Sequence, residues 1–257
     1  MSHEALLEAA IQVARVAGDT ALEHFRRGVV PELKKDGTPV TPGDREAERA
    51  ARVWIEKYFP GDGILGEEEG ETRPEAKRRW ILDPVDGTRT FLRRVPLWGT
   101  LVAVQEGETL VAGVAYFPAV GELLAAAPGR GCFHNDVRTH VSTVSSLERA
   151  TVLATDDRFL ETPEKAAPFR ALAQKAELSR TWGDCYGYLM VATGRAEVMT
   201  DGILSLWDAA AIKPIIDEAG GVFTDWAGTR TAFGGNAIAT NAALAVLVRT
   251  YLRDGPA

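Results

Sequence analysis

The spacing of apolar residues predicts that the first half of the chain consists of helices followed by antiparallel strands. After Ser2, apolar residues recur every three or four positions, which predicts a helix that ends near Arg27. A loop rich in Gly and Pro at 34–44 leads to a second predicted helix at 45–58. Apolar and β-branched runs then predict strands and turns at 63–71, 80–84, 99–118 (a hairpin) and 121–136.

The pattern changes near residue 145, after which predicted strands alternate with predicted helices. The strands are predicted at 150–156, 178–182, 196–201, 221–226 and 237–240. The helices are predicted at 163–177, 185–193, 206–219 and 241–252. This alternation favours a sheet with substantial parallel pairing. No long linker separates the two patterns, so we place the boundary between two predicted domains, 1–143 and 144–257, within the stretch from 138 to 149.

Composition and charge exclude several classes of protein. Of the 257 residues, 46% are hydrophobic and 25% are charged, as in an ordinary folded protein. The net charge of −7 opposes binding to nucleic acid or to an anionic membrane surface, and no long apolar run predicts a membrane span. Two cysteines without metal-ligand spacing favour a reduced setting. We therefore expect a cytoplasmic protein with neither a nucleic-acid nor a membrane partner.

The string WILDPVDGT ends an apolar run with two aspartates, Asp83 and Asp86, three residues apart. Such a turn can bring both carboxylates and the Val85 carbonyl towards one point, where oxygen ligands suit Mg²⁺. Gly87 lets backbone amides approach a ligand closely, and the Thr88 hydroxyl can position a water. Asp-Pro and Asp-Gly are also common turn formers, which is the better explanation for either dipeptide alone. For the whole string on an apolar strand, we favour a metal site.

Two further acidic segments are candidates for the same site. GEEEG offers Glu67 and its neighbours, although an acidic triplet alone is more often a solvated loop. Asp208 lies in the first turn of the helix predicted at 206–219, three residues after Ser205, in the pattern of a capping box. Capping and metal binding are compatible for Asp208, since a carboxylate in the first helical turn can also face a cation.

Motifs of other enzyme classes are missing from the sequence. The four histidines have neither metal-ligand nor triad spacing, so we assign them no catalytic role. The chain has no G-x-S-x-G, no P-loop and no dinucleotide-binding fingerprint. These observations count against a serine hydrolase, a P-loop kinase and a dehydrogenase.

Three motifs together resemble the inositol monophosphatase superfamily of metal-dependent, lithium-sensitive phosphatases. They are GEEEG, WILDPVDGTRTF and LWDAAAIKPIIDEAGG, and the resemblance extends in order over nearly the whole chain. It implies an α+β fold with αβαβα layers, an antiparallel N-terminal sheet and a mixed, largely parallel C-terminal sheet. It also implies a homodimer that acts on a small phosphate ester.

The resemblance further implies a metal site for two or three Mg²⁺ ions. Its expected ligands are Glu67, Asp83, the Val85 carbonyl, Asp86 and Asp208. Either Lys34 or Lys35 is expected to border this site.

The same resemblance implies how the attacking water is activated. Thr88 pairs with Asp44 to orient and deprotonate the water, and Glu67 joins them as the third catalytic residue. The backbone amides of Gly87 and Thr88 are expected to hold the phosphate. Such a site needs no covalent phosphoenzyme, which agrees with the lack of an obvious nucleophile.

The substrate-side segment, 180–208, resembles the histidinol-phosphatase branch of the superfamily. L-Histidinol phosphate carries an ammonium and an imidazole, so Asp184 and Asp201 would favour its cationic end. The simpler alternatives are that Asp184 caps a helix starting at Cys185 and that Asp201 is a turn residue.

We therefore expect a Mg²⁺-dependent phosphomonoesterase that converts L-histidinol phosphate to L-histidinol in histidine biosynthesis. The main alternative is an inositol-1-monophosphatase with broad specificity. Activity on fructose 1,6-bisphosphate or 3′-phosphoadenosine 5′-phosphate has less support, because no extra basic cluster is evident for a second phosphate. A catalytically silent metal- or phosphate-binding regulator is the alternative from a different class.

Overall fold

The computed structural model describes residues 2–34 and 37–254, and within them helices and sheets alternate in layers. The helices are α1 His3–Arg27, α2 Pro42–Tyr58, α3 Thr88–Leu92, α4 Pro163–Lys175, α5 Asp184–Ala192, α6 Leu206–Glu218 and α7 Ala245–Asp254. The strands of the first half are β1 Glu32–Leu33, β2 Pro39–Val40, β3 Gly63–Gly66, β4 Gly70–Thr72, β5 Arg78–Asp86, β6 Gly99–Glu106, β7 Thr109–Phe117, β8 Glu122–Ala127, β9 Gly131–His134 and β10 Val137–Thr139. Those of the second half are β11 Thr151–Ala154, β12 Leu178–Arg180, β13 Val198–Asp201, β14 Val222–Thr224 and β15 Ala237–Thr240.

The layers run helix, sheet, helix, sheet, helix, which confirms the expected αβαβα arrangement. Helices α1 and α2 cover one face of the first sheet, and α6 packs against its other face. Helices α5 and α6 lie between the two sheets, while α4 and α7 pack together on the far side of the second. Strand β5 is buried on both faces: Trp80 and Leu82 face the core under α1, and Ile81 faces the middle layer.

The first sheet has the strand order β10-β9-β8-β7-β6-β5-β3-β4 and is antiparallel except for the β3–β5 pair. The predicted hairpin is confirmed as β6 and β7. Strand β5 pairs regularly with β6 as far as Asp83, and the register then shifts before Asp86 pairs with Gly99. In this irregular segment, which contains Pro84, the DPVDGT string departs from the regular β5–β6 hydrogen bonding.

The second sheet has the order β12-β11-β13-β15-β14 and is mixed, as expected. Its parallel share is smaller than we predicted, because two strand pairs are parallel and two are antiparallel. Strand β11 is parallel to both of its neighbours, so the carboxyl ends of β11 and β13 meet at one edge of the sheet. Ligands of α/β proteins commonly bind beyond such strand ends.

Two local predictions differ from the structure. The second helix begins at Pro42 rather than Arg45, because Thr41 caps it and Pro42 suits the first helical position. The short helix α3 was not predicted, since its five residues are too few to show a period. None of the helices in the described ranges combines the length and apolarity that a membrane crossing needs. The predicted domain boundary falls in segment 140–146, which has neither helix nor strand, and it stays a prediction.

Candidate active site

Three aspartates, which we call the aspartate cluster, converge at the junction of the two halves. Asp83 and Asp86 come from the irregular end of β5, and Asp208 from the first turn of α6. One carboxylate oxygen from each lies within 4.8 Å of those of the other two. Asp83 is buried, and Asp86 and Asp208 are partly buried. The structure thus brings together residues that are more than a hundred positions apart in sequence.

Backbone amides hold each carboxylate of the aspartate cluster in place. The amide of Ser205, the N-cap of α6, donates to Asp208 in the manner of the predicted capping box. One amide fixes one oxygen, so each carboxylate keeps an oxygen that this bond does not use. The bonds are Val85 N to Asp83 Oδ1 at 3.0 Å, Cys185 N to Asp86 Oδ2, and Ser205 N to Asp208 Oδ2 at 2.8 Å.

Loss of hydration and mutual repulsion disfavour negative charge in the aspartate cluster. Burial raises the pKa of Asp83 well above its usual value, and the charges of Glu67 and Asp86 raise it further. Burial also raises the pKa of Asp208 to about 7. Several oxygen donors that repel one another are the donor set that a hard divalent cation such as Mg²⁺ suits. The residues present therefore fit a metal ion.

Glu67 is not among the described carboxylates whose oxygens lie within 4.8 Å of one another, although its charge acts on Asp83, and it contacts a lysine. Lys34 Nζ is 2.7 Å from Glu67 Oε1 and 2.8 Å from Glu68 Oε1. Of the two lysines expected to border the site, Lys34 does so, and Lys35 lies outside the described residues. Burial raises the pKa of Glu68 to about 7, and the neighbouring Glu67 charge adds to this rise.

Thr88 and Asp44 are within hydrogen-bonding distance, as the expected pairing requires. Thr88 Oγ1 is 3.2 Å from Asp44 Oδ1 and 3.2 Å from the Val85 carbonyl oxygen. The other Asp44 oxygen accepts hydrogen bonds from the backbone amide and the hydroxyl of Thr41. Asp44 was expected in a loop, which is wrong: it lies in the first turn of α2, where Thr41 and Asp44 form a capping box. Burial raises the pKa of Asp44.

Gly87 links β5 to α3 in a backbone conformation that favours glycine. Its φ is 88°, in the left-handed region. A Cβ at Gly87 would lie 3.0 Å from Asp184 Oδ2, so the carboxylate of Asp184 stands directly against this turn. Thr90 Oγ1 donates to the same Asp184 oxygen at 3.0 Å.

Asp184 and Asp201 share Thr155 as a neighbour. The Asp184 amide donates to Thr155 Oγ1 at 2.8 Å, and the Thr155 amide donates to Asp201 Oδ1 at 3.2 Å. Asp201 Oδ2 accepts a hydrogen bond from Tyr188 at 2.7 Å, so both oxygens of this buried carboxylate have partners. Burial raises the pKa of Asp201 to about 6. Asp184 does not cap α5, because it is the first helical residue and Gly183 is the N-cap.

Of two clefts in the structure, one is lined by Asp201 and the other contains no residue of the aspartate cluster. A cleft of about 270 Å³ opens beyond the carboxyl ends of β11 and β13, and Thr155, Asp201 and Ile203 line it. The larger cleft, about 730 Å³, lies around Lys213 and Phe233 and includes no residue of the aspartate cluster. We assign the site to the aspartate cluster because its converging carboxylates supply the chemistry that the larger cleft lacks.

Two residues that shape the site were missed in the sequence. Thr41 orients Asp44, and the T-P-G-D string, with a proline at the first helical position and an acid at the third, was a readable signal for it. Thr155 joins Asp184 to Asp201, and no local pattern marks it because its partners are 29 and 46 positions away.

The model of the inositol monophosphatase family matches residues 2–254 of this chain. A histidinol-phosphatase from Chlorobaculum parvum is 42% identical over 233 residues, which span 90% of each chain. A histidinol-phosphatase from Mycobacterium tuberculosis is 35% identical, covering 99% of this chain and 100% of the relative. An inositol-1-monophosphatase from Mesorhizobium japonicum is 33% identical, covering 89% and 88%.

Among solved structures, the fold is similar to that of the extragenic suppressor protein SuhB from Bartonella henselae. The TM-score is 0.91 at 29% identity, and the match covers 98% of this chain and 100% of the other.

Proposed function

The chain belongs to the inositol monophosphatase family of phosphatases, and we propose that it is a Mg²⁺-dependent phosphomonoesterase that hydrolyses L-histidinol phosphate. The observation that carries the phosphatase chemistry is the aspartate cluster beside the Thr88–Asp44 pair. The 42% identity to a histidinol-phosphatase supports the choice of ester. We propose that the protein acts as a cytoplasmic homodimer in histidine biosynthesis.

The proposed metal site would hold two or three Mg²⁺ ions through the aspartate cluster and two neighbouring groups. When bound, the ions supply positive charge for the phosphate and leaving oxygens and lower the pKa of water. The proposed ligands are Glu67, Asp83, the Val85 carbonyl, Asp86 and Asp208.

The protein's own residues orient the water and the phosphate. Asp44 Oδ1 accepts the hydroxyl hydrogen of Thr88, which leaves a lone pair of Thr88 Oγ1 to accept a hydrogen bond from the attacking water. Thr41 holds the other Asp44 oxygen, so Oδ1 stays directed at Thr88. Glu67 is the third proposed catalytic residue, beside Thr88 and Asp44. The backbone amides of Gly87 and Thr88 hold the phosphate oxygens.

Asp184 and Asp201 are the proposed readers of the cationic end of the substrate. Asp184 adjoins the Gly87 turn, so it can contact an ammonium on an ester whose phosphate lies at that turn. Asp201 is buried and hydrogen-bonded, so its negative charge acts at longer range, beside the cleft beyond β11 and β13. A neutral polyol would gain nothing from either charge.

The test is phosphate release with Mg²⁺ from a panel of esters at pH 7.5. We expect kcat/KM for L-histidinol phosphate to exceed that for inositol 1-phosphate, fructose 1,6-bisphosphate and 3′-phosphoadenosine 5′-phosphate. Asp184→Asn should reduce this preference while leaving activity on inositol 1-phosphate unchanged. Equal kcat/KM values for the wild type across the panel would contradict the proposed substrate.

The second candidate function is an inositol-1-monophosphatase with broad specificity, which the Mesorhizobium japonicum relative favours. A clear preference for inositol 1-phosphate in the same panel would establish it and would leave the metal chemistry unchanged. A protein that binds Mg²⁺ but releases phosphate from no ester would instead be a silent regulator on this fold.

A further inference from the structure

Glu48 is a fully buried carboxylate on α2 that faces the acidic loop, residues 66–70. Its Oε2 accepts a hydrogen bond from the Glu68 amide at 2.8 Å, and its Oε1 accepts one from the Glu69 amide at 3.1 Å. These two amides immediately follow Glu67. Glu48 therefore fixes the backbone of the loop directly beside a proposed metal ligand.

Arg52, one turn further along α2, completes this attachment. Its Nε donates to Glu48 Oε1 at 2.8 Å, and its Nη2 donates to the Gly70 carbonyl oxygen. Glu48 and Arg52 form an i,i+4 ion pair that is almost wholly buried, so each compensates the charge of the other. The pair thus holds the acidic loop both after Glu67 and at its end.

The start of the acidic loop fits closely against the same carboxylate. A Cβ at Gly66 would overlap the Glu48 side chain, so a glycine is required where the loop leaves β3. The loop and the helix are in direct contact at this point, with no space for the loop to shift towards α2.

Asp44, Glu48 and Arg52 are spaced four residues apart and lie on one face of α2. Asp44 contacts Thr88, whereas Glu48 and Arg52 contact the acidic loop. One rigid helix therefore fixes both the proposed water-orienting pair and the loop that carries Glu67.

We propose that Glu48, together with Arg52, is a positioning residue that sets Glu67 against the aspartate cluster and thereby raises the affinity for Mg²⁺. This inference rests on the proposed metal-dependent function. In Glu48→Gln one acceptor oxygen becomes an NH₂ group, which faces an amide N–H instead of accepting from it. Groups that orient metal ligands typically change metal affinity by about 10- to 100-fold when they are substituted.

The experiment measures Mg²⁺ binding by calorimetry on metal-free protein and the Mg²⁺ concentration that gives half-maximal phosphate release. In Glu48→Gln, the Kd for Mg²⁺ and the Mg²⁺ concentration that gives half-maximal phosphate release should both rise about tenfold. At saturating Mg²⁺, KM for the ester should stay unchanged and kcat should recover. Glu46→Gln is the matched control, because Glu46 lies on the same helix with its side chain 55% exposed, and it should bind Mg²⁺ like the wild type. A merely structural defect would lower the amount of active protein without moving the Mg²⁺ affinity.

Arg52→Lys is the second variant, because it keeps the charge but loses the forked contact with Glu48 and the Gly70 carbonyl. It should weaken Mg²⁺ binding, though less than the roughly tenfold expected of Glu48→Gln, and this result decides the matter if Glu48→Gln does not fold. If Glu48→Gln folds and binds Mg²⁺ like the wild type, the inference is overturned, but the proposed metal site is not. If Glu48→Gln does not fold, the same result in Arg52→Lys overturns the inference. Wild-type protein that binds no Mg²⁺ overturns the proposed metal site and this inference with it.

Discussion

The aspartate cluster and Glu48 are neighbouring acidic regions, but their carboxylates have different partners. Each aspartate of the cluster accepts a hydrogen bond from one backbone amide, and one oxygen from each lies within 4.8 Å of those of the other two. Glu48 is as buried as Asp83, but its oxygens accept hydrogen bonds from two backbone amides and an arginine. Burial alone therefore does not mark a metal ligand. The informative feature is a group of carboxylates whose acceptor capacity the protein itself does not fill.

Asp201 is an intermediate case between these two regions. It is buried and both of its oxygens have hydrogen-bond partners, but neither partner is cationic. Its negative charge therefore has hydrogen-bond donors but no positively charged partner, whereas Glu48 is paired with Arg52. Substitutions in the three environments test whether they correspond to metal binding, positioning and substrate selection.

The largest effect is expected from Asp83→Asn, which removes one charge from the aspartate cluster. We expect kcat/KM with Mg²⁺ to fall by more than about a thousandfold, because the site would lose a proposed ligand of the ions that would stabilise the transition state. The melting temperature of the metal-free protein should stay the same or rise, since burial and the charges of Glu67 and Asp86 disfavour the ionised form of Asp83 that the substitution removes. Exposed Asp157→Asn is the matched control, and full activity in Asp83→Asn would show that the site is misassigned.

The next effect concerns the Thr88–Asp44 pair. Thr88→Val keeps the shape of the side chain but removes the hydroxyl, so kcat should fall about a hundredfold with little change in KM. Thr88→Ser restores the hydroxyl and should recover most of the rate. Steady-state kinetics at saturating Mg²⁺ checks this prediction, and a Val variant as active as the Ser variant would contradict it.

How far the sequence predicted this site depends on the sequence distance between partners. Asp83, Val85 and Asp86 are adjacent in one string, so the chain itself guarantees that they are close. The sequence itself offers Asp208 as a candidate third acid, whereas Asp44 joins the predicted site only through the family resemblance. Their positions relative to Asp83 depend on the packing of α2 and α6, which no local pattern specifies.

Glu48 was not predicted, and the reason is physical. The i,i+4 spacing of Glu48 and Arg52 on a helix is the ordinary signature of a solvated face. Only the packing of α2 against the acidic loop buries this pair, and the loop lies about 20 positions further along the chain. The polar spacing of Glu48 and Arg52 in the sequence therefore does not indicate that the two side chains are buried.

The fold was predicted best where the pairing is local. The hairpin of β6 and β7 follows from two apolar runs around a turn at Gly107. The directions in the second sheet were predicted less well, because alternation of helices and strands does not specify that β15 runs antiparallel to β13. The start of α2 was missed because Pro42 and Gly43 were interpreted as loop residues rather than as a first helical turn.

A smaller effect is expected from Asp184→Asn, on the substrate side. Loss of the charge should raise KM for L-histidinol phosphate about tenfold, since a hydrogen bond to a charged group contributes about 1.5–3 kcal/mol. KM for inositol 1-phosphate should not change, because a neutral polyol has no cation to lose. A parallel rise in both KM values would assign Asp184 to the geometry of the Gly87 turn instead of to substrate selection.

The smallest effect is a change of stability with pH that arises from Asp201. Its folded pKa is raised to about 6 from 3.8, so the protonated form stabilises the fold, and this stability is lost as the pH rises through 6. Between pH 5 and 8 the metal-free wild type should therefore lose about 1 kcal/mol relative to Asp201→Asn. Urea denaturation in EDTA at the two pH values measures this difference. A constant difference would mean that Asp201 titrates as in the unfolded chain.

An anomalous difference map from crystals grown with Mn²⁺ in place of Mg²⁺ would show directly whether the aspartate cluster binds metal. We expect at least one peak within about 2.5 Å of carboxylate oxygens of Asp83, Asp86 and Asp208. In Glu48→Gln at the same Mn²⁺ concentration, the occupancy of that peak should fall. A map with no peak at the aspartate cluster at saturating Mn²⁺ would show that these carboxylates are not the metal site.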